Sequence, residues 1–264
     1  MSDEKYETIL VSQKDSVARI TLNRPKVHNA FNEAMVAELY RAFADASQEE
    51  GIRVVVITGK GRSFCAGADL NWMRRVKDYS FQDNLQESKQ LAELMYTIYS
   101  LPLPTIARVN GAAIGGGAGL VAACDLVIAV QTARFSLSEV KLGLVPAVIS
   151  PYVLRRVGES ACREFFLTGE RLTAEKAMRF GLVNEVVPPE RLDRAVEERV
   201  SQLLTSGPRA LHTCKEILRQ VPGMSFQEAK AYTAEIIASL RISQEGQEGM
   251  SAFLEKRKPN WSGG

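Results

Sequence analysis

Histidine is almost missing from this 264-residue chain, which has only His28 and His212, and cysteine is scarce and scattered at Cys65, Cys124, Cys162 and Cys214. No CxxC or HExxH spacing occurs, so neither a structural nor a catalytic zinc is expected and no metal is assigned. Four unclustered cysteines read as small buried hydrophobes of a reducing, cytoplasmic compartment. Residues 1–7 are polar and acidic, unlike a signal peptide. The longest stretch without charge, residues 109–124, has 16 residues and is rich in glycine, too short and too flexible to span a membrane. An excess of one charge is missing as well. Lys+Arg 33 against Asp+Glu 31 leaves +2 with no long run of either sign, which argues against a nucleic-acid partner, because such binding rests on clustered cations.

What is present is ordinary in amount, with 45% hydrophobic and 24% charged residues. A monomer of this size buries roughly three quarters of its unfolded surface, so a core needs neither disulfides nor metal. Short β-branched runs at 17–22, 54–58, 105–109 and 126–130 alternate with helical spacing at 30–46 and 85–100. In the first of these helices Phe31, Met35, Leu39, Ala42, Phe43 and Ala46 share a face; in the second Leu85, Leu91, Leu94, Met95 and Ile98 do. Alternation of this kind predicts an α/β layered core. From Glu190 onward strands stop, and amphipathic helices are expected over 190–206, 208–220, 225–242 and 247–258. The chain is therefore read as a core with the active site, 1–189, and a helical region, 190–264, packed on the core or on neighbouring subunits.

Two segments read as loops that open helices directly after strands. One is Ser63-Phe64-Cys65-Ala66-Gly67-Ala68-Asp69-Leu70, the other Asn110-Gly111-Ala112-Ala113-Ile114-Gly115-Gly116-Gly117-Ala118-Gly119. Each glycine costs about 0.5–1 kcal/mol against alanine in regular structure. Three in a row entering a helix are expected to serve a left-handed turn or a ligand approaching bare backbone, not packing. A helix N-terminus also presents unpaired N–H groups suited to an anion or oxyanion. The bland reading of one such turn is a tight strand-to-helix junction; a pair after successive strands points to a ligand-facing site.

Residues 117–122 also fit G-x-G-x-x-A, with Glu139 twenty residues beyond Gly119, the spacing of a dinucleotide fingerprint. The context argues against that reading, because the strand 126–130 ends well before Glu139. Glu139 instead sits among apolar neighbours in Phe135-Ser136-Leu137-Ser138-Glu139-Val140-Lys141-Leu142, where desolvation would raise its pKa towards acid/base use. The bland alternative is a surface glutamate paired with Lys141.

These three segments in this order resemble the crotonase (enoyl-CoA hydratase/isomerase) superfamily, over nearly the whole chain from Asn23-Arg24-Pro25 to Phe253-Leu254-Glu255-Lys256-Arg257. The resemblance implies an α/β spiral of β-β-α turns with a C-terminal helical trimerisation region, an acyl-CoA thioester as substrate, and self-association as a homotrimer or dimer of trimers. No separate cofactor is implied, since coenzyme A enters as part of the substrate. Carried over by position, the catalytic oxyanion hole falls on the N–H groups of Ala68 and Gly116, with Glu139 as general acid/base. The CoA and substrate surface falls on Lys26, Val27, His28, Ala66, Asp69, Leu70 and Gly115, and Phe253 and Lys256 match positions that reach a neighbouring subunit's CoA. His212 receives no role.

The chain departs from the family at Gly119, where typical hydratases carry the first of two glutamates. Residues 140–152 also lack their Pro-Gly-x-Gly-Gly run. In both respects it resembles the bacterial 3-methylglutaconyl-CoA hydratases of leucine degradation and their isohexenylglutaconyl-CoA relatives. The expected reaction is then addition or removal of water across C2–C3 of a branched glutaconyl-CoA, with Lys141, Arg74 or Arg75 receiving the distal carboxylate. The alternatives are an enoyl-CoA isomerase using one glutamate and a non-catalytic CoA- or RNA-binding member of the family.

Overall fold

The computed structural model describes residues 6–262; the first five residues of the acidic N-terminal segment lie outside it. Ten strands form two sheets. In the larger sheet, β1 (Ile9–Lys14) pairs antiparallel with β2 (Val17–Leu22), and β3 (Val54–Gly59), β5 (Thr105–Val109), β7 (Leu126–Val130) and β10 (Glu185–Val187) follow in parallel. The smaller sheet orders β4 (Ser63–Cys65), β6 (Ala112–Ile114) and β8 (Arg134–Ser136) in parallel, with β9 (Arg171–Thr173) antiparallel at its edge. All six residues of β3 are buried, as an apolar run in the middle of a covered parallel sheet should be.

Successive units lay one strand on each sheet. β3 and β4 lead into α1's neighbour α2 (Leu70–Val76), where α1 is Glu33–Gln48; β5 and β6 lead into α4 (Gly116–Ala123), which follows α3 (Phe81–Ser100) in the chain. β7 and β8 lead into a 3-10 turn, Glu139–Leu142. Because β4, β6 and β8 run parallel, the three segments that leave them emerge at one end of the smaller sheet. Short strands therefore occupy parts of what the sequence read as two loops: residues 63–65 and 112–114 are too brief to show a period.

Helix ends follow local chemistry. Asn32 caps α1 by accepting from the Met35 N–H at 3.0 Å, and Ser80 with Asp83 forms a capping box on α3. The α1 face bearing Met35, Leu39, Ala42, Phe43 and Ala46 is buried, as the spacing predicts. On α3 only Leu94, Met95 and Ile98 enter the core; Leu85 is exposed and Leu91 turns to a cleft. α4 is buried on every side from Gly117 onward.

Then come α5 (Ser150–Thr168, broken at Gly158 with φ +78°) and α6 (Ala174–Arg179). The helical tail is α7 (Leu192–Leu204), α8 (Pro208–Gln220), α9 (Phe226–Ile242) and α10 (Gln244–Leu254), the last ending sooner than its spacing suggests. α7 buries Leu192, Ala195 and Val196, whereas no residue of α8 or α9 is fully buried within this chain. Lys215 on α8 reaches the core, donating to Asp125 Oδ2 at 2.6 Å and to the Leu103 carbonyl at 2.9 Å. Arg53, just before β3, donates to the carbonyls of Leu204, Ser206 and Trp261. Three cysteines are buried, but Cys214 is exposed, which corrects the expectation for that residue. Among the described residues no helix is long and apolar enough to cross a membrane.

Candidate active site

A cleft of about 760 Å³ opens where the three exit segments meet. Its walls include Ala66, Gly67, Ala68 and Leu70 from the first, Gly115 and Gly116 from the second, and Ser138 and Glu139 from the third. The first two segments touch: a Cβ on Gly67 (φ +91°) would lie 3.1 Å from the Ile114 carbonyl oxygen, and one on Gly115 would lie 4.0 Å from Gly67 Cα.

The wall is held from behind by residues 24–31. Asn29, fully buried in the left-handed region, accepts from the Arg24 N–H and donates to the carbonyls of Lys60, Ser63 and Phe64. Phe31 and Ala68 form a lone parallel bridge in which the flanking groups bond: the Phe31 N–H donates to the Gly67 carbonyl at 2.7 Å, and the Asp69 N–H to the Phe31 carbonyl at 2.8 Å. That register points the Ala68 N–H the other way, and among the described residues it has no partner. The same holds for the N–H of Gly116, the first residue of α4 and so one of the helix's orphan donors. Asp69 caps α2, accepting from Asn71 N–H at 2.7 Å, and pairs with Arg24 at 2.8 Å. Burial alone would raise its carboxyl, but those two contacts outweigh it and hold it below the usual carboxylate range. Its side chain therefore shapes the wall and is turned away from the cleft.

The glycines do pack closely, contrary to the sequence expectation. A Cβ on Gly116 would stand 3.0 Å from Phe31 Cε2 and one on Gly117 2.5 Å from the Cys65 carbonyl oxygen. Of the three consecutive glycines Gly115 alone needs its conformational freedom, at φ +52°, where its N–H donates to the Ser136 carbonyl at 2.8 Å. A Cβ there would meet Glu139 Oε1 at 3.2 Å, so the bare turn is also what leaves the carboxylate its place.

Glu139 opens the 3-10 turn after β8 and faces this cleft. Its Oε2 is buried without a hydrogen-bond partner. Burial pushes its carboxyl above the usual range, only partly offset by its own backbone N–H. The surface-pair alternative does not hold: Lys141 lies outside the cleft walls, its Cε 3.1 Å from where a Cβ of Gly169 would sit. Gly119 is deeper in α4, and the space its side chain would take is filled. A Cβ there would lie 2.2 Å from Ile149 Cγ2.

The other candidates fall elsewhere. Lys26, Val27 and His28 sit on an exposed turn behind the wall, with His28 Nδ1 3.0 Å from Ser63 Oγ. Phe253 and Lys256 are exposed and stand outside the cleft of their own chain. Arg74 bonds Asn71 Oδ1 at 2.7 Å, and Arg75 takes both oxygens of Glu33 at 2.6 Å. The sequence reading missed Trp72, Asn84, Glu87 and Ser88, which line the cleft where α2 meets α3, and the apolar lip Leu142, Leu144 and Val145. No motif marks them, because their meeting depends on how two helices pack.

The sequence profile of the enoyl-CoA hydratase/isomerase family matches residues 12–264. The chain belongs to this family. Among its curated relatives is the 2,3-dehydroadipyl-CoA hydratase of Escherichia coli K12, 36% identical over 256 residues, covering 97% of this chain and 98% of that one. Another is the crotonyl-CoA hydratase of Syntrophomonas wolfei, 32% identical over 262 residues, with coverage of 97% and 98%. The crystal structure of an enoyl-CoA hydratase from Shewanella pealeana superposes with a TM-score of 0.95 at 40% identity, covering 98% of this chain and 97% of that chain. The fold is accordingly the α/β crotonase fold, and the protein is an enzyme of the hydro-lyase type with enoyl-CoA hydratase-type activity on acyl-CoA.

Proposed function

We propose that this crotonase-family enzyme adds water to, or removes it from, the C2–C3 double bond of an acyl-CoA, with Glu139 as its one acid/base. The observation that carries this reading is the pairing, in one cleft, of two unpartnered backbone N–H groups with a buried carboxylate oxygen that also lacks a partner. The thioester oxygen accepts from the N–H groups of Ala68 and Gly116, each such donor contributing about 2.7–4 kcal/mol of transition-state stabilisation. Ionised Glu139 takes a proton from water as its oxygen bonds to C3, and the electron pair of the double bond moves onto the enolate. Protonated Glu139 then returns that proton to C2, which restores the thioester and the carboxylate. The CoA moiety lies along the exposed turn of Lys26, Val27 and His28, and α8 and α9, which have no fully buried residue within the chain, serve assembly into a trimer or dimer of trimers.

The narrower substrate, a branched glutaconyl-CoA, calls for a cation at the acyl end. Arg74, Arg75 and Lys141 are each turned to other partners or outside the cleft, which weighs for an uncharged acyl group. One observation favours a second reading: Ile149 fills the place of a second carboxylate at Gly119, and a single base suffices for moving a double bond between C3 and C2. The test is the loss of conjugated-thioester absorbance with 2-enoyl-CoA substrates, run beside its gain from 3-enoyl-CoA. Hydration that falls by orders of magnitude in Glu139→Gln, with KM little changed, supports the proposal. Conversion of 3-enoyl-CoA alone would replace it with the isomerase.

A further inference from the structure

Two charged side chains line the cleft among the described residues, Glu139 and Glu87, and both are carboxylates. Glu87 stands on α3, half-buried, and receives the indole N–H of Trp72 on α2, with its two oxygens at 3.0 and 2.9 Å. One shared N–H leaves most of the carboxylate's lone pairs unused, and no Lys or Arg pairs with it among the described residues. Asn84 and Ser88 beside it are neutral, and the remainder of this end of the cleft is apolar: Met73, Val76, Leu91, Leu144 and Val145. Of the two arginines of α2, Arg75 pairs with Glu33 and Arg74 donates to Asn71, and neither bonds Glu87.

From this arrangement we infer that Glu87, held by Trp72, sets acyl specificity by charge, admitting neutral acyl chains and rejecting those that end in a carboxylate. The inference rests on the cleft taking the acyl chain of a CoA thioester, as proposed above. A ligand carboxylate entering the cleft would lose water and meet a like charge with no counter-ion, and specificity is often built by placing such a repulsive element against the wrong ligand. Neutral chains meet only the apolar walls and give up no such interaction.

The test compares two saturated thioesters of equal length, hexanoyl-CoA and adipoyl-CoA, by competition binding to the full-length protein. The wild type is expected to hold adipoyl-CoA about tenfold or more weakly, with the gap narrowing as salt is raised. Glu87→Gln, which keeps the Trp72 acceptor, and Glu87→Ser, which removes the same charge by another route, should each shrink the ratio of the two affinities several-fold. Trp72→Phe, which keeps the charge, should preserve the sense of the ratio. Equal or tighter binding of adipoyl-CoA by the wild type would overturn the inference, and so would a ratio that stays put in both Glu87 variants. Failure to bind either thioester would overturn it together with the reading of the cleft. Hydration of 2-hexenoyl-CoA and 2,3-dehydroadipyl-CoA is assayed in parallel: binding selectivity without turnover leaves Glu87 its role and removes the hydratase proposal alone.

Discussion

A single methyl group added at residue 119 probes why this site has one carboxylate. The new Cβ would lie 2.2 Å from Ile149 Cγ2 and 2.9 Å from Ile149 Cβ. Carbon atoms in contact settle about 3.5–4.0 Å apart, so Ile149 would have to retreat by at least about 1.3 Å (3.5 − 2.2). That residue is 3% exposed, sits at the start of α5 and lines the cleft, and Met95 Cε also lies 3.5 Å from the added Cβ. Overpacking of this kind costs about 1–3 kcal/mol, and the shortness of the contact places the cost at the top of that span. Alanine in place of glycine within α4 returns about 1 kcal/mol of helix propensity. Gly119→Ala should therefore destabilise the protein by about 2 kcal/mol. Ile149→Ala alone should cost about 3 kcal/mol through the cavity it leaves. In the double variant the 2.2 Å contact is gone, but the Cβ of residue 149 stays 2.9 Å from the new Cβ at a cost of about 1 kcal/mol, which offsets the propensity gain and gives about 3 kcal/mol instead of a sum near 5. The coupling of about −2 kcal/mol is within the range for residues in contact. Urea unfolding of the four proteins at one fixed concentration measures it. Additivity within about 0.5 kcal/mol, or a Gly119→Ala protein more stable than the wild type, would refute the reasoning.

Three further outcomes are expected. Since burial raises the Glu139 carboxyl above its ordinary value of 4.5, the acid limb of kcat/KM should lie above that pH, the rate rising as the base ionises. The sign for stability is opposite: a raised carboxyl favours the fold below its unfolded pKa and loses that contribution as pH rises through the folded value, so Glu139→Gln should equal the wild type near pH 4 and exceed it at pH 8. An acid limb at or below 4.5 would contradict both statements. At Asp69, asparagine keeps the cap on α2 while removing the pair with Arg24, whereas alanine removes both; Asp69→Ala should thus be less stable than Asp69→Asn by about 1 kcal/mol in denaturant melts, and equal midpoints would dismiss the cap.

Much of the site was legible because its chemistry is written in backbone rules. Gly67 and Gly115 announce positive φ, and an apolar setting around Glu139 announces desolvation. The strands at 17–22, 105–109 and 126–130 were legible from β-branching alone. What stayed hidden depends on distance in the chain. β4, β6, β8 and β9 are three residues each and show no period, although they bring the site together. Glu87 and Trp72 are ordinary helix residues until α2 and α3 pack face to face. The three arginine and lysine candidates were assigned by charge, and charge says nothing of direction: Glu33, far earlier in the chain, claims Arg75. No pattern in the sequence marks Asn29, though its amide ties the segments that carry the wall.

The guanidinium of Arg53 collects carbonyls that lie 151, 153 and 208 residues further along the chain. During synthesis this side chain is therefore made early and finished late. Pairings across so long a loop form after the local ones, and the strand that follows Arg53 is in the middle of the larger sheet. A chain that stops short of Trp261 leaves Arg53 without one of the three carbonyls it holds. The turn at Asn260–Ser262 thus ties the far end of the helical tail directly to the residue that leads into a middle strand of the larger sheet.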